Sequence, residues 1–120
     1  MNKVTKKIVI ADDNRELSDL IVDIMNQEGY DTSQVYDGYE LIAFLEKNSP
    51  SLVILDLMMP EKDGISILDT VRQLVPNLRI VIYTGYQEYE KSVYARSADK
   101  FIVKGGSITE LINAVKDLIG

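Results

Sequence analysis

The sequence predicts an α/β protein built on a doubly wound, five-stranded parallel sheet. Two observations lead there, and a third limits the size. Continuous apolar runs such as "KIVIAD", "SLVILD", "LRIVIYT" and "DKFIVK" have no polar alternation, so they read as strands buried on both faces. Segments with apolar residues at helical spacing separate them. Right-handed crossovers between parallel strands then place helices on both sides of the sheet. The 120 residues contain no internal repeat, low-complexity stretch or linker, which suits one domain over 1–120.

In chain order, residues 1–6 are a short basic tail. Lys7 to Asp12 is the first strand. The helix after it shows Leu17, Leu20, Ile21 and Ile24 at helical spacing, with Glu28-Gly29 as a stop. Tyr30 to Tyr36, "YDTSQVY", is polar and suits a sheet edge. Asp37-Gly38 marks a turn. Leu41, Ile42 and Leu45 give a short helix closed by "NSP" at 48–50. Leu52 to Leu55 is a second buried run, ending on Asp56. After Gly64, the residues Ile65, Leu68, Val71, Leu74 and Val75 define a helix that Pro76-Asn77 ends. Leu78 to Thr84 is the fourth strand. The next helix, over 86–98, has a thin apolar face of Tyr89, Val93 and Ala95. Asp99 to Lys104 is the last strand. Ser107-Ile108-Thr109-Glu110 has the form of a capping box, and the helix it opens carries Ile108, Leu111, Ile112, Val115, Leu118 and Ile119 on one side.

Composition removes whole classes of chemistry. Cysteine is absent, so there is no disulfide and no cysteine-zinc site. Histidine is also absent, which excludes a histidine nucleophile, base or metal ligand. A net charge of −6 makes the domain unsuited to binding nucleic acid by its own field. "MNKVTKK" is basic but no apolar signal core follows it, and no run approaches the ~20 apolar residues of a membrane span. A cytoplasmic location is expected.

In a sheet of this kind, ligands bind outside the carboxyl ends of the strands. Those ends carry Asp12-Asp13, Asp56, Thr84-Gly85 and Lys104. Three acids in one small site repel each other unless a cation joins them. Oxygen ligands without His or Cys favour a hard ion, Mg²⁺ first. A carboxylate nucleophile, a metal, a hydroxyl donor and a lysine together suit a site that accepts a phosphoryl group. One acid at one strand end is ordinarily a turn former or a cap, and Asp12-Asp13-Asn14 alone would serve to cap the first helix. Joint placement at four strand ends, in order, is what points to chemistry.

With "IVIADDN", "LVILDLMMPEKDG", "IVIYTG" and "FIVK" in that order, the chain resembles the receiver domain of bacterial two-component response regulators over essentially its whole length. The resemblance implies a flavodoxin-like (βα)5 fold of strand order 2-1-3-4-5, and a signalling domain that promotes its own phosphorylation and dephosphorylation rather than a metabolic enzyme. It implies that Asp56 is the phosphoacceptor. Asp13 and Asp56 match direct Mg²⁺ ligands, with Asp12 acting through water and the Met58 backbone carbonyl completing the metal site. Thr84 matches the hydroxyl that binds the phosphoryl group, and Lys104 the amine that pairs with it. Phe101 matches the aromatic that switches rotamer with Thr84. Pro60 and Gly64 match turn positions that shape the loop after Asp56. The donor implied is a histidine kinase or histidine phosphotransfer protein. The output partner or domain is unknown, and a homodimer through the face of the fourth helix, fifth strand and fifth helix stays open. No nucleic acid or membrane contact by this domain is expected.

The chain departs from the family where "VKGGS" replaces the usual proline after lysine. A cis bond before a non-proline residue costs about 2.5–4 kcal/mol, so Lys104–Gly105 is expected to be trans, and Gly105-Gly106 has wide backbone freedom. The final helix and its partner surface are the features this departure puts in question. Met58 and Tyr86 are placed to flank the phosphoryl group. Neither is suited to orient a hydrolytic water, so slow phosphate loss is expected. Tyr83, Tyr86, Tyr89 and Tyr94 either mark a partner surface or are scattered, half-buried tyrosines. Two other classes remain: a pseudo-receiver that binds partners without phosphorylation, and an aspartyl-phosphate hydrolase, which tends to need a second acid where Met58 stands.

Overall fold

Each apolar run becomes a strand, and the polar run becomes an edge. The structure is a computed structural model that describes residues 5–57, 64–87 and 96–120. Its strands are β1 (Lys7–Ala11), β2 (Asp31–Val35), β3 (Leu52–Leu55), β4 (Arg79–Thr84) and β5 (Lys100–Val103). They form one parallel sheet in the order β2-β1-β3-β4-β5. The described helices are α1 (Arg15–Gln27), α2 (Gly38–Lys47), α3 (Gly64–Leu74) and α4 (Ile108–Ile119). The expected helix over 86–98 lies largely outside the described residues, of which Arg96 and Ser97 are helical.

Strand alternation divides the core into two layers. Val9, Ala11, Val53, Leu55, Ile80 and Ile82 face Leu41 and Leu45 of α2 and Ile67, Leu68 and Val71 of α3. Ile8, Ile10, Leu52, Ile54, Val81 and Ile102 face Ile21 and Met25 of α1 and Leu111, Ala114 and Val115 of α4. All four residues of β3 are buried. At about 1.5–3 kcal/mol per large apolar side chain, β3 contributes heavily to the core and holds its carboxyl end rigidly in place.

The helix faces differ in part from the expected ones. In α1 the buried residues are Ser18, Ile21 and Met25, and Leu20 is 53% exposed. At 3.6 residues per turn, Leu20 lies roughly 130° round from the middle of that stripe. In α3, Ile67 is buried, and Leu74, at the helix end, is 39% exposed. The side chain of Ile65 is outside the described residues. Asp37-Gly38 is a helix start rather than a free turn: the Asp37 carboxylate accepts from Glu40 N–H at 2.8 Å, and Glu40 accepts from Tyr36 N–H at 2.7 Å. Ser107 caps α4 as expected, but its hydroxyl accepts from Thr109 N–H at 3.2 Å rather than from Glu110. The end of the basic tail is tied down, because Lys6 Nζ donates to Ile119 O and its own carbonyl accepts from Asp31 N–H.

Opposite the carboxyl ends of the strands, Asp99 gathers three donors. It accepts from Ile80 N–H at 2.8 Å and pairs with Arg72 at 3.5 Å and Arg79 at 3.2 Å. Arg72 also donates to Leu78 O at 2.7 Å and Ser97 O at 2.8 Å. This network fixes the turn from α3 into β4 and the entry to β5.

Candidate functional site

Strand register brings the chemistry together. Ala11 pairs with Leu55, and Leu55 with Ile82. Asp12 and Asp56 follow Ala11 and Leu55 directly, so they emerge side by side. Backbone bonds fix both: Asp12 N–H donates to Val35 O at 3.2 Å, and Asp56 N–H to Ala11 O at 3.0 Å. On the other side Thr84 pairs with Val103, and Lys104 N–H donates to Thr84 O at 2.8 Å.

Asp12 is 1% exposed and Asp56 6%. Asp13 is exposed. One carboxylate oxygen from each of the three lies within 4.8 Å of the others. Lys104 Nζ bridges the two buried acids, at 2.7 Å from Asp12 Oδ2 and 3.0 Å from Asp56 Oδ2, and so offsets their mutual repulsion. Burial pushes the Asp12 carboxyl above its ordinary range, outweighing the hydrogen bonds from Lys104 and from Asn14 N–H. Burial alone would lower the Lys104 pKa, but its bonds and attraction to Asp12 and Asp56 win and raise it. The lysine therefore stays charged at neutral pH.

Asn14, not the acid pair, caps α1, accepting from Leu17 N–H at 3.1 Å. The capping expected of the Asp12-Asp13-Asn14 segment is thus done by Asn14, which leaves both acids for the site. Asp12 instead accepts from Asn14 N–H at 2.9 Å, which orients its carboxylate. Thr84 is wholly buried, and its hydroxyl has no hydrogen-bond partner among the described residues. Most buried hydroxyls in proteins are hydrogen-bonded, so this one sets Thr84 apart from the rest of the core. The oxygen-only donor set and the exposed Asp13 suit a small hard cation with waters of its own.

The expectations on the remaining residues divide. Phe101 is half-buried and packs against the α2–α3 layer. Met58 and Pro60 lie outside the described residues, as do Tyr89 and Tyr94. Gly64 opens α3. Tyr86 is 43% exposed, but Tyr83 is buried and belongs to the core rather than to a surface patch. No cis peptide occurs among the described residues, and Gly105 has φ +99°, a conformation proline cannot adopt. Unforeseen from sequence were the Arg15 guanidinium, which stacks on Tyr36 at 3.8 Å, and the Tyr83 ring beside Lys104.

A family model described as the response regulator receiver domain matches residues 8–116. The chain belongs to this family. This receiver domain is 33% identical over 115 residues to sporulation initiation phosphotransferase F of Bacillus subtilis, covering 94% of this chain and 93% of that protein. It is 29% identical over 114 residues to the regulatory protein VanRc of Enterococcus gallinarum, covering 94% of this chain and 49% of that longer protein. Among solved structures it is similar to response regulator protein TrrA of Thermotoga maritima in complex with Mg(2+)-BeF, with a TM-score of 0.90 and 28% identity over 96% of this chain and 100% of that one. TrrA in complex with histidine kinase ThkA gives a TM-score of 0.89 at 28% identity, over 97% of this chain and 100% of that one. The flavodoxin-like fold and its strand order agree with these neighbours. No described helix of the receiver domain is long and apolar enough to cross a membrane.

Proposed function

We propose that this domain is a phosphorylation switch in which Asp56 accepts a phosphoryl group from a phosphohistidine on a partner histidine kinase or phosphotransfer protein. The observation that carries the reading is the joint geometry at the strand ends: three carboxylates within 4.8 Å, a lysine bridging two of them, and a buried threonine hydroxyl without a hydrogen-bond partner among the described residues. A related regulator solved with a histidine kinase supports the partner class.

Asp12, Asp13 and Asp56 would hold Mg²⁺, with the Met58 carbonyl as a further ligand. Bound there, the ion supplies positive charge against the phosphoryl oxygens. The chain's own residues do the rest. β3 holds the Asp56 carboxylate at the edge of the sheet, where one of its oxygens attacks the phosphorus. A new O–P bond forms, the P–N bond to the donor imidazole breaks, and the ring nitrogen leaves with a proton. Positioning and charge neutralisation supply the rate. The product is an acyl phosphate on Asp56.

Negative charge has then moved outward onto the phosphoryl oxygens. Lys104 follows it, the Thr84 hydroxyl gains an acceptor, and Phe101 turns inward. The surface of β5 and α4, with the helix expected over 86–98, changes for an output partner, another domain or a second copy. This is a two-state equilibrium biased by a local charge. Slow phosphate loss follows if Met58 and Tyr86 flank the group. A phosphate half-life unchanged by Met58→Asn and by Tyr86→Ala would refute that point. We also place the domain in the cytoplasm, as a single unit over 1–120.

The test is intact mass after incubation with acetyl phosphate, with and without Mg²⁺. A gain of one phosphoryl group that needs the metal and is lost in Asp56→Asn is expected. No gain, together with no detectable Mg²⁺ binding, would overturn the switch in favour of a constitutive binding module.

A further inference from the structure

Tyr83 is the last residue but one of β4 and carries a phenol, yet it is 7% exposed. Its register partner on β5 is Ile102. Strand alternation therefore puts residues 83, 102 and 104 towards the α1–α4 layer and Thr84 towards the other. The two residues grip Lys104 from different sides. The Thr84 carbonyl fixes the lysine backbone at 2.8 Å. The Lys104 Nζ sits over the Tyr83 ring, 5.8 Å from its centroid, within the roughly 6 Å reach of cation–π attraction. The ammonium of Lys104 thus meets two carboxylates and one aromatic face.

Resting on the phosphoacceptor reading above, we propose that Tyr83 is a positioning residue: its ring face confines the Lys104 ammonium to the mouth of the site. The lysine stem is a flexible four-carbon chain, 20% exposed and followed by two glycines; two carboxylates hold its Nζ, and the ring adds a third restraint. Filling the core does not require an aromatic at this position. Leucine would pack against Ile102 and Leu111 of the same cluster but would offer no negative face to the ammonium. Ring and lysine together keep the cation beside Asp12 and Asp56 before transfer, and within reach of the phosphoryl oxygens after it.

The experiment compares Tyr83→Phe and Tyr83→Leu with the unaltered chain. Two readouts are taken: the rate of Mg²⁺-dependent phosphorylation by acetyl phosphate, and the proton NMR shifts of the Lys104 ε-methylene. The phenylalanine variant keeps the ring face, so its rate is expected within about twofold of the original. The leucine variant is expected to be about three- to tenfold slower. The ε-methylene protons should lie upfield, shielded by the ring current, in the original and in Tyr83→Phe, and move downfield in Tyr83→Leu. Loss of the ring moves those protons whatever its role, so the shifts test the contact, and the rates, with rescue by phenylalanine, test the positioning. An unchanged rate or unchanged shifts in Tyr83→Leu would overturn the proposal, as would Tyr83→Phe as slow as Tyr83→Leu. If Tyr83→Leu does not fold, Tyr83→Met carries the same expectations. Failure of the unaltered chain to accept phosphate would count against the phosphoacceptor reading, while the NMR comparison still decides the contact.

Discussion

Replacing Lys104 with methionine isolates the electrostatics of the site. The stem is nearly preserved and the charge is lost. Lys104 Nζ makes contacts at 2.7 Å and 3.0 Å to acids that are 1% and 6% exposed. Truncating one partner of a fully buried pair costs about 3–5 kcal/mol. Here the lysine side chain is 20% exposed, and water that enters can solvate the two carboxylates, so about 2 kcal/mol is the better figure. For a domain of this length, with an unfolding entropy of about 2.1 cal/mol/K per residue, that is a fall in Tm of roughly 8 °C. Mg²⁺ binds the folded site, and at tenfold its Kd it adds about 1.4 kcal/mol. In Lys104→Met no ammonium competes for the carboxylates, so Mg²⁺ should bind more tightly and recover more stability than it adds to the original chain. Thermal melts in EDTA and across a Mg²⁺ titration measure both quantities. An unchanged Tm in EDTA, or a smaller Mg²⁺ shift in the variant, would refute the claim that Lys104 stands in as the counter-ion of the acid pair.

Other perturbations separate stability from switching. Thr84→Val removes a buried hydroxyl without a hydrogen-bond partner among the described residues. It should raise the stability of the unphosphorylated protein by up to about 1 kcal/mol in urea denaturation, while NMR detects a smaller shift change on phosphorylation. Gly105→Ala should cost about 1–2 kcal/mol, because the space around it is open and the penalty comes only from φ +99°. Gly106→Ala, whose added Cβ would meet Glu110 at 3.8 Å, should lie within about 0.5 kcal/mol of the original in the same assay. Asp99→Ala leaves Ile80 N–H and two arginines without their shared acceptor. Most of the expected loss of about 2 kcal/mol, read by calorimetry, comes from the amide, since the Arg79 pair is half-exposed.

The sheet was legible because β1, β3 and β4 are apolar without interruption, and β2 was legible as an edge because it is not. The residues that follow the strands gave the site, since parallel register aligns strand ends. Helix faces were harder. Apolar spacing alone put Leu20 in the core, whereas a serine, Ser18, and a methionine, Met25, fill that stripe; packing against the sheet, not hydrophobicity, chooses the face. Nor does sequence say how a lysine is shared among three acids. That Lys104 bridges Asp12 and Asp56 while Asp13 stays exposed depends on the depth at which each carboxylate emerges. The placement of Tyr83 follows from register: only once Tyr83 is seen opposite Ile102 do residues 83 and 104 share a face.

In the proposed mechanism Asp56, among the three clustered carboxylates, takes the phosphoryl group. Reductive trapping of the acyl phosphate with borohydride, followed by peptide mass mapping, addresses it directly. The reduced residue is expected at position 56, with Asp12 and Asp13 unmodified. Trapping at either of those acids, or an acid-stable phosphate on Thr84, would contradict it.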